Sequence, residues 1–101
     1  MRLILFFDLP VKTKTERRIA NRFRRDLIND GYMMLQLSVY SRICKGEQTV
    51  EKHKKRLKTF IPEHGNVRIL SVTEKQYASM EILIGSPKKE EKIGCEQLIL
   101  L

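Results

Sequence analysis

The N-terminal ten residues constrain the fold more than any other part of the chain. Residues 3–7 form an unbroken apolar run, Asp8 follows directly, and Pro10 comes two residues later. A short continuous apolar run is typical of a strand buried in a sheet. Proline ends such a strand because it has no backbone N–H to donate. Asp8 is therefore predicted to lie where a buried strand leaves the core, where a carboxylate either holds a metal ion or anchors a turn.

The size and charge of the chain indicate one small domain with a basic surface. It has 101 residues and a formal net charge of +8, from 20 Lys+Arg against 12 Asp+Glu, and its pI is about 9.8. A chain of this length can bury a single core. The whole excess charge lies in residues 11–30 and 45–58, each with net +4, and both segments predict helices. This localised excess is typical of domains that bind polyanions.

The cysteines and the hydropathy pattern indicate a cytoplasmic protein. Cys44 and Cys95 lie far apart and form no metal-ligand spacing. Asp8 interrupts the N-terminal apolar run, which argues against a signal peptide. No stretch approaches the roughly 18 apolar residues of a membrane span. We therefore expect a reducing cytoplasm, free thiols and no membrane partner.

The segment after Pro10 predicts a long basic helix. Thr13 followed three residues later by Glu16 forms a capping box, which marks a helix start, and the Asp30-Gly31 pair favours a helix end. Apolar residues recur at helical spacing on one predicted core face, namely Ile19, Ala20, Phe23 and Leu27. Arginines occupy or flank the opposite face, namely Arg17, Arg18, Arg22, Arg24 and Arg25.

The middle of the chain predicts strand and then a second helix. Residues 32–44 are rich in β-branched and aromatic types, which favours one bent strand or two short ones, with a bulge near residues 36–38. Residues 47–61 predict a helix that Pro62 ends. Its predicted apolar stripe consists of Val50, Leu57, Phe60 and Ile61.

The rest of the chain predicts strands separated by polar segments. Residues 67–72 are expected to form a strand with Val67 and Ile69 on one face, and residues 80–84 another strand. Residues 73–78 are polar and are interpreted as a turn, residues 88–92 as a charged linker, and residues 97–101 as a short terminal strand. An apolar terminus left in water invites edge-to-edge aggregation, so we expect it to pair with a neighbouring subunit.

This order of elements predicts an α+β, ferredoxin-like βαββαβ sandwich with an extra C-terminal strand. Two helices would cover one face of an antiparallel sheet. Residues 1–85 are expected to form the ferredoxin-like domain, and residues 86–101 a linker and the strand for subunit pairing. The opposite face of the sheet needs a cover as well, and the simplest cover is a second copy of the chain. We therefore expect a homodimer.

Three features together resemble a known family. They are the N-terminal strand ending in Phe7-Asp8-Leu9-Pro10, the basic first helix, and the sequence Gln-Leu-Ser-Val-Tyr at residues 36–40. The chain resembles the small dimeric subunit of the CRISPR adaptation complex, which partners the integrase subunit in acquiring spacers. The resemblance implies a homodimer with its sheets packed face to face. It also implies integrase dimers at opposite ends of this dimer and duplex DNA across the basic surface.

The same resemblance bears on Asp8. Some members of the family are Mg²⁺-dependent nucleases of RNA or DNA, with the strand-end aspartate of each protomer near the twofold axis, and by motif position that residue is Asp8. The resemblance thus implies Asp8 as a catalytic and metal-binding residue and Mg²⁺ as the cofactor. One carboxylate per chain supplies few ligands for a metal ion, although a twofold axis would supply a second carboxylate. We therefore expect hydrolysis to be weak or absent.

The basic residues are the predicted nucleic-acid contacts, because guanidinium groups suit phosphate oxygens. The first candidates are Arg17, Arg18, Arg22 and Arg25, with Arg42 and Lys55 behind them. No base-reading motif is present, so binding is predicted to be directed to the backbone and independent of sequence. The alternative is a basic helix face that is only solvated.

Other residues have structural interpretations. Ser38 and Tyr40 are predicted to pack in the sheet, since no positioned base would activate a serine. His53 and His64 are expected at the surface, and Met33 with Met34 in the sheet or the dimer interface. The phenylalanines are expected in the core, namely Phe6, Phe7, Phe23 and Phe60.

Three functions remain open on the sequence alone. The first is a scaffold that holds protospacer DNA while the integrase performs the chemistry, and the second is a metal-dependent endonuclease centred on Asp8. The third is an RNA-binding module, because this topology also carries RNA on its sheet face. A toxin-like ribonuclease on the same fold is a related alternative.

Overall fold

The computed structural model describes residues 1–87, which form a four-stranded antiparallel sheet and three helices. The elements in chain order are β1 (Arg2–Asp8), α1 (Lys14–Asn29), β2 (Met33–Gln36), β3 (Val39–Ile43), α2 (Glu47–Lys58), β4 (Asn66–Val72) and α3 (Glu74–Ala78). The strand order across the sheet is β2-β3-β1-β4. This is the predicted βαββαβ, ferredoxin-like arrangement, and the fold class is confirmed.

Strand β1 lies at the centre of the sheet and sets the position of the core. It pairs antiparallel with β3 on one side and β4 on the other. Its side chains alternate between the two faces, as strand geometry requires. Leu3, Leu5 and Phe7 are buried beneath the helices. Residues of both long helices complete the same core, namely Phe23, Leu27, Val50 and Leu57.

The start and the core face of α1 follow the predicted pattern, with one exception. The Thr13 hydroxyl accepts from the Glu16 backbone N–H at 3.0 Å, and the Glu16 carboxylate accepts from the Thr13 N–H at 2.9 Å. The predicted core position of Ile19 is wrong, because its side chain is 48% exposed. It faces an open groove at the end of the helical layer, beside Leu9 and Ile61, which the sheet does not reach.

The second helix ends earlier than the sequence predicts. Its last residue is Lys58, and Thr59 caps it. Ile61, predicted in the apolar stripe, lies beyond the helix and is 40% exposed. The residue before a proline is biased away from helical conformation, so Pro62 ends the helix upstream of itself. Phe60 remains partly buried against the core.

The predicted bulge lies between β2 and β3. Met34 pairs with Tyr40 and Gln36 with Val39, so the register shifts by one residue between these pairs. Ser38, in the turn, has φ of 73°, and its carbonyl accepts from the Phe7 N–H at 3.1 Å. Tyr40 is buried in the core. The packing role predicted for Tyr40 is confirmed, whereas Ser38, predicted in the sheet, lies in the turn between β2 and β3.

Two predictions after β4 are wrong. Residues 73–78, interpreted as a turn, contain helix α3, whose capping box joins Thr73 and Gln76 with hydrogen bonds of 2.9 and 3.0 Å. Residues 80–84, predicted as a strand, form none, and Leu83 and Ile84 are 92% and 94% exposed. A strand needs a partner for its backbone N–H and C=O groups, and no strand within residues 1–87 pairs with this segment.

The outer face of the sheet, opposite the two long helices, carries apolar side chains. Phe6 was predicted in the core, but alternation along β1 places it on this face, where it is 40% exposed. An open cavity of about 510 Å³ lies beside Phe6. Its other apolar lining residues are Ile4, Leu35, Val39, Met80, Ile82 and Ile84.

Helix α3 is held against the sheet by a buried arginine. Arg2 is fully buried, and its Nε donates to both carboxylate oxygens of Glu74, at 2.9 and 3.0 Å. Its guanidinium carbon lies 3.9 Å from the centroid of the Tyr77 ring. The Met1 ammonium adds a second positive charge 3.9 Å from Glu74. This cluster fixes the chain that follows β4 onto the outer face of the sheet.

Several predictions concern the last fourteen residues. The linker at residues 88–92, the strand at residues 97–101 and the thiol of Cys95 lie outside the described residues, so the domain boundary near residue 85 stays a prediction. Cys44 is a free, buried cysteine. Within residues 1–87 no helix is both long and apolar enough to cross a membrane.

Candidate metal position and nucleic-acid interface

Asp8 lies at the end of β1, where its carboxylate is accessible to solvent. It is the last residue of the strand and pairs in register with Asn66 at the start of β4. An open cleft of about 360 Å³ lies between the two strand ends, lined by Phe6, Phe7, Asp8, Asn66 and Arg68. Asp8 forms no ion pair within the described part of the chain. The carboxylate is thus placed, as predicted, where a strand leaves the core.

The turn before β4 packs tightly against the end of β1. Gly65 has φ of +105°, a conformation that side chains other than glycine rarely adopt. A Cβ at this position would lie 2.7 Å from the Asp8 carbonyl oxygen and 2.9 Å from a Leu9 methyl carbon. Glycine is therefore required here, and this close approach holds Asn66 opposite Asp8.

The donor set at Asp8 fits a cation that takes few ligands from the protein. Residues 1–87 contain no cluster of three or more His, Cys, Asp or Glu side chains that could hold a metal ion. Mg²⁺ keeps several waters and is commonly bound by one or two carboxylates together with a substrate phosphate. An exposed aspartate in an open cleft meets that requirement, with the remaining oxygens supplied by water and phosphate.

Three of the predicted arginines form one exposed stripe along α1, which we call the arginine stripe. Arg18, Arg22 and Arg25 are all exposed and lie three or four residues apart, which places them on one side of the helix. The stripe spans about 10 Å along the axis. None of the three forms an ion pair with another residue in the range 1–87. Within the described range, these three exposed charges are therefore without a close acidic partner.

The neighbouring arginines of α1 have additional structural roles. Arg17 is exposed, but one of its guanidinium nitrogens donates to the carbonyls of Val11 and Lys12, both at 3.1 Å. Arg24 is half-buried, and its guanidinium carbon lies 5.7 Å from the Phe7 ring centroid. Arg17 thus ties the preceding loop to the helix, and Arg24 covers the edge of the core.

The two secondary candidates for nucleic-acid contact, Lys55 and Arg42, lie in different surroundings. Lys55 is exposed on α2, whose outward face also carries Lys52 and Lys58. Arg42 is only 17% exposed, and its guanidinium lies 3.5 Å from the Asp30 carboxylate and over the Tyr32 ring. Arg42 is thus held inside the protein and is not part of the exposed basic surface.

Asp30 is the centre of a buried polar cluster that joins α1, β3 and α2. Its carboxylate pairs with Arg42 and with Arg56, so one negative charge is shared by two basic side chains. Burial, together with the nearby negative charge of Asp30, raises the pKa of Tyr32 to about 12. This cluster is structural, and the sequence gives no direct sign of it beyond the helix end at Asp30.

The surface position predicted for His53 is wrong. The side chain is buried because it lies three residues after Val50 and four before Leu57, on the inward face of α2. Burial lowers the pKa of His53, and the positive charges of Arg42, Arg56 and Lys52 lower it further against the opposing effect of Asp30. Its Nδ1 atom has no hydrogen-bond partner among the described residues. His64 is exposed, as predicted.

Stability is expected to fall as the pH drops below the ordinary histidine pKa of 6.5. In that range the unfolded chain binds a proton at His53 while the folded protein, with its lowered pKa, does not. The stability that neutral His53 contributes is complete above pH 6.5 and is lost as the pH falls toward the folded-state pKa. The free energy of unfolding changes by at most about 1.4 kcal/mol per pH unit in this range.

Urea denaturation at several pH values between 5 and 8 measures this effect. His53→Gln should flatten the pH dependence, and His64→Gln, at an exposed histidine, should leave it as in the wild type. Equal pH profiles for the wild type and His53→Gln would contradict the assignment.

The fold and the exposed basic helix define a small ferredoxin-like domain, and comparisons with known proteins identify its family. The family model described as CRISPR associated protein Cas2 matches residues 1–80. The chain belongs to the Cas2 family, and the predicted resemblance is confirmed.

Full-length relatives support the same assignment. The chain is 50% identical over 101 residues to a protein of Acidovorax ebreus, covering 99% of both chains. It is 45% identical to one of Ligilactobacillus salivarius, covering 100% of both. It is 46% identical to one of Campylobacter jejuni, covering 100% of this chain and 71% of that protein. All three are named CRISPR-associated endoribonuclease Cas2.

A solved structure agrees with the fold. The crystal structure of Streptococcus pyogenes Cas2 at pH 6.5 superimposes with a TM-score of 0.63 at 19% identity, covering 82% of this chain and 99% of that chain. At this identity the likeness supports the fold alone.

Proposed function

We propose that this chain is a CRISPR adaptation subunit that dimerises, bridges two integrase dimers and holds protospacer duplex DNA by its backbone. The observation that carries the proposal is the arginine stripe of α1, whose three guanidinium groups are exposed and unpaired within residues 1–87. Membership of the Cas2 family supplies the CRISPR context. We place this function in the cytoplasm, where the DNA is.

The outer face of the sheet supports dimerisation. Phe6 and Leu70 are 40% and 52% exposed there, beside the apolar cavity at Phe6. A second copy of the chain packed on this face would remove that apolar surface from water. The two helical layers would then form the outside of the dimer, so the basic surface of α1 and α2 would be doubled.

The chemistry of the stripe favours binding to the DNA backbone. Arginine matches phosphate oxygens with paired N–H groups, and neutralised phosphates release counterions regardless of sequence. Such contacts position a duplex without specifying its bases. A scaffold that accepts any protospacer needs this kind of binding.

Co-purification with the integrase subunit tests the assembly. Light scattering of the purified complex, with and without a protospacer-length duplex, should give the mass of one dimer of this chain with two integrase dimers. A monomer that binds neither the integrase nor DNA would end the proposal.

A second candidate function is a metal-dependent endonuclease centred on Asp8. The observation in its favour is that Asp8 is exposed in a cleft that also contains Arg68, and the relatives named above carry the name endoribonuclease. Mg²⁺ bound at Asp8 would shield the phosphate and orient an attacking water. A second Asp8 across the dimer axis would strengthen this weak site.

Asp8→Ala is expected to abolish any Mg²⁺-dependent cleavage, because it removes the carboxylate that holds the ion. Cleavage of single-stranded RNA and of duplex DNA should be measured with Mg²⁺ and with EDTA, beside Asp8→Asn, which preserves size but removes the charge. Cleavage that survives in both variants would rule out Asp8 as its centre. Lost cleavage with intact spacer acquisition would assign the scaffold as the biological role.

A further inference from the structure

We propose that Asn66 and Arg68 complete the site at Asp8. Asn66 supplies a second oxygen ligand to the divalent cation, and Arg68 positions a phosphate that is bound to the same cation. The proposal rests on the cation position at Asp8 proposed above. It gives the start of β4 a role in binding that the sequence around Asn66 and Arg68 does not indicate.

The register of the sheet brings the two oxygen donors together. Asp8 and Asn66 are direct partners across the β1–β4 ladder, and directly opposed residues on one face have Cβ atoms about 4.5–5.5 Å apart. Both side chains are short and exposed. A carboxylate oxygen and an amide oxygen at this spacing can both reach one Mg²⁺ ion, whose ligands lie about 2.0–2.1 Å away. Several coordination positions remain open to water and phosphate.

The glycine turn gives this pair a fixed geometry. Gly65 immediately precedes Asn66, and the space for its Cβ is taken by the Asp8 carbonyl and by Leu9. The start of β4 is therefore in close contact with the end of β1, and this contact keeps Asn66 beside Asp8. Preorganised ligands of this kind lose little freedom when an ion binds.

Arg68 lies on the same face, one strand repeat from Asn66. Residues two apart in a strand point the same way and are about 6.8 Å apart, a distance that an extended arginine side chain covers. Arg68 is exposed, pairs across the ladder with Phe6, and forms no ion pair with any residue from 1 to 87. It also lines the cleft that holds Asp8.

A cation and a guanidinium that face the same cleft suit a phosphodiester. The phosphate oxygens can ligate the ion and accept from the arginine at once. Without phosphate, the positive charge of Arg68 opposes the cation. The two residues therefore make opposite contributions to binding of the bare ion, which separates their roles experimentally.

Titration with Mn²⁺ alone, followed by electron paramagnetic resonance of the free ion, tests Asn66. Asn66→Ala should weaken Mn²⁺ binding about tenfold because it removes the oxygen donor. Asn66→Asp should bind Mn²⁺ at least as tightly as the wild type because it replaces the amide oxygen with a carboxylate oxygen. Arg68→Ala should leave Mn²⁺ binding unchanged or tighter. Circular dichroism of each variant checks that the fold is retained.

Binding of a ten-nucleotide oligodeoxythymidylate, measured with Mn²⁺ and then with EDTA, tests the role of Arg68 in positioning a phosphate. Arg68→Ala should weaken binding at least fivefold with Mn²⁺ and much less with EDTA. Arg22→Ala on α1 is the matched control, since it removes the same charge and should weaken binding equally in both conditions. An Arg68→Ala effect that is independent of Mn²⁺ would overturn its assigned role.

The outcomes separate this inference from the function on which it rests. If Asp8→Ala loses Mn²⁺ and Asn66→Ala does not, the cation position stands and the role of Asn66 is overturned. If the wild type binds no Mn²⁺, or Asp8→Ala binds it normally, the cation position itself fails and the inference fails with it. Neither result affects the DNA contacts proposed for α1.

Discussion

Glu74→Ala is expected to lower the free energy of unfolding by about 3 kcal/mol, a large share of the stability of a small domain. Arg2 is fully buried, and Glu74 accepts from its Nε with both carboxylate oxygens. Removing the carboxylate takes away both hydrogen bonds from the Arg2 Nε to Glu74 and the negative charge beside this buried guanidinium and the nearby Met1 ammonium. Helix α3 should then detach from the outer face of the sheet.

Urea denaturation measures this loss, and two variants control it. Lys75→Ala changes the exposed neighbour on α3 and should cost less than 0.5 kcal/mol, on the order of an ordinary surface substitution. Arg2→Met combined with Glu74→Leu removes both charges and should be more stable than Glu74→Ala alone. A Glu74→Ala protein as stable as the wild type would show that the pair does not anchor α3.

Replacing the three arginines of the stripe by glutamine should weaken duplex DNA binding on the order of 100-fold at 0.15 M salt. Arg18, Arg22 and Arg25 are exposed and unpaired among the residues that the structure describes, so they can contact phosphates without first breaking an ion pair. Each lost contact reduces the slope of log affinity against log salt by about 0.9. Arg17 is left unchanged because it also ties down the preceding loop.

The matched control replaces the same three arginines by lysine. Lysine keeps the charge but not the paired donors, so most of the affinity and the full salt dependence should remain. Fluorescence anisotropy with one labelled duplex compares the three proteins. If the glutamine protein bound like the wild type, α1 would not be the DNA-binding surface.

Local signals predicted much of the fold. The apolar run in β1, the capping box of Thr13 and Glu16, and the helix end at Asp30 each depend on residues close in sequence, and each appears in the structure as expected. The capping box of α3 was equally visible at Thr73 and Gln76. It was missed because a five-residue polar helix carries almost no apolar periodicity.

Long-range contacts explain why the surroundings of Arg2 and Phe6 could not be predicted. Arg2 and Glu74 are 72 residues apart in sequence, and no local pattern indicates that a charged residue beside an apolar run will be buried. Phe6 belongs to a run without alternation, so its face depends on what covers each side of the sheet. The burial of His53, by contrast, follows from a local signal, its helical spacing to Val50 and Leu57.

The residues of the candidate site also fall into those with a local sequence signal and those that depend on the fold. Asp8 was predicted because a strand end and a proline mark it locally, and the arginine stripe because helical spacing separates it from the core face. Asn66 and Arg68 were missed because their relation to Asp8 exists only in the register between β1 and β4. Arg42 resembles the other arginines in sequence, and only the fold shows that Asp30 holds it.

A titration of duplex affinity against salt concentration tests the central claim most directly. If the paired helical layers hold DNA by its backbone through about six phosphate contacts, log affinity should fall with log salt with a slope of about −5 for duplexes of any sequence. An affinity that does not change with salt, or that depends strongly on the base sequence, would contradict the account.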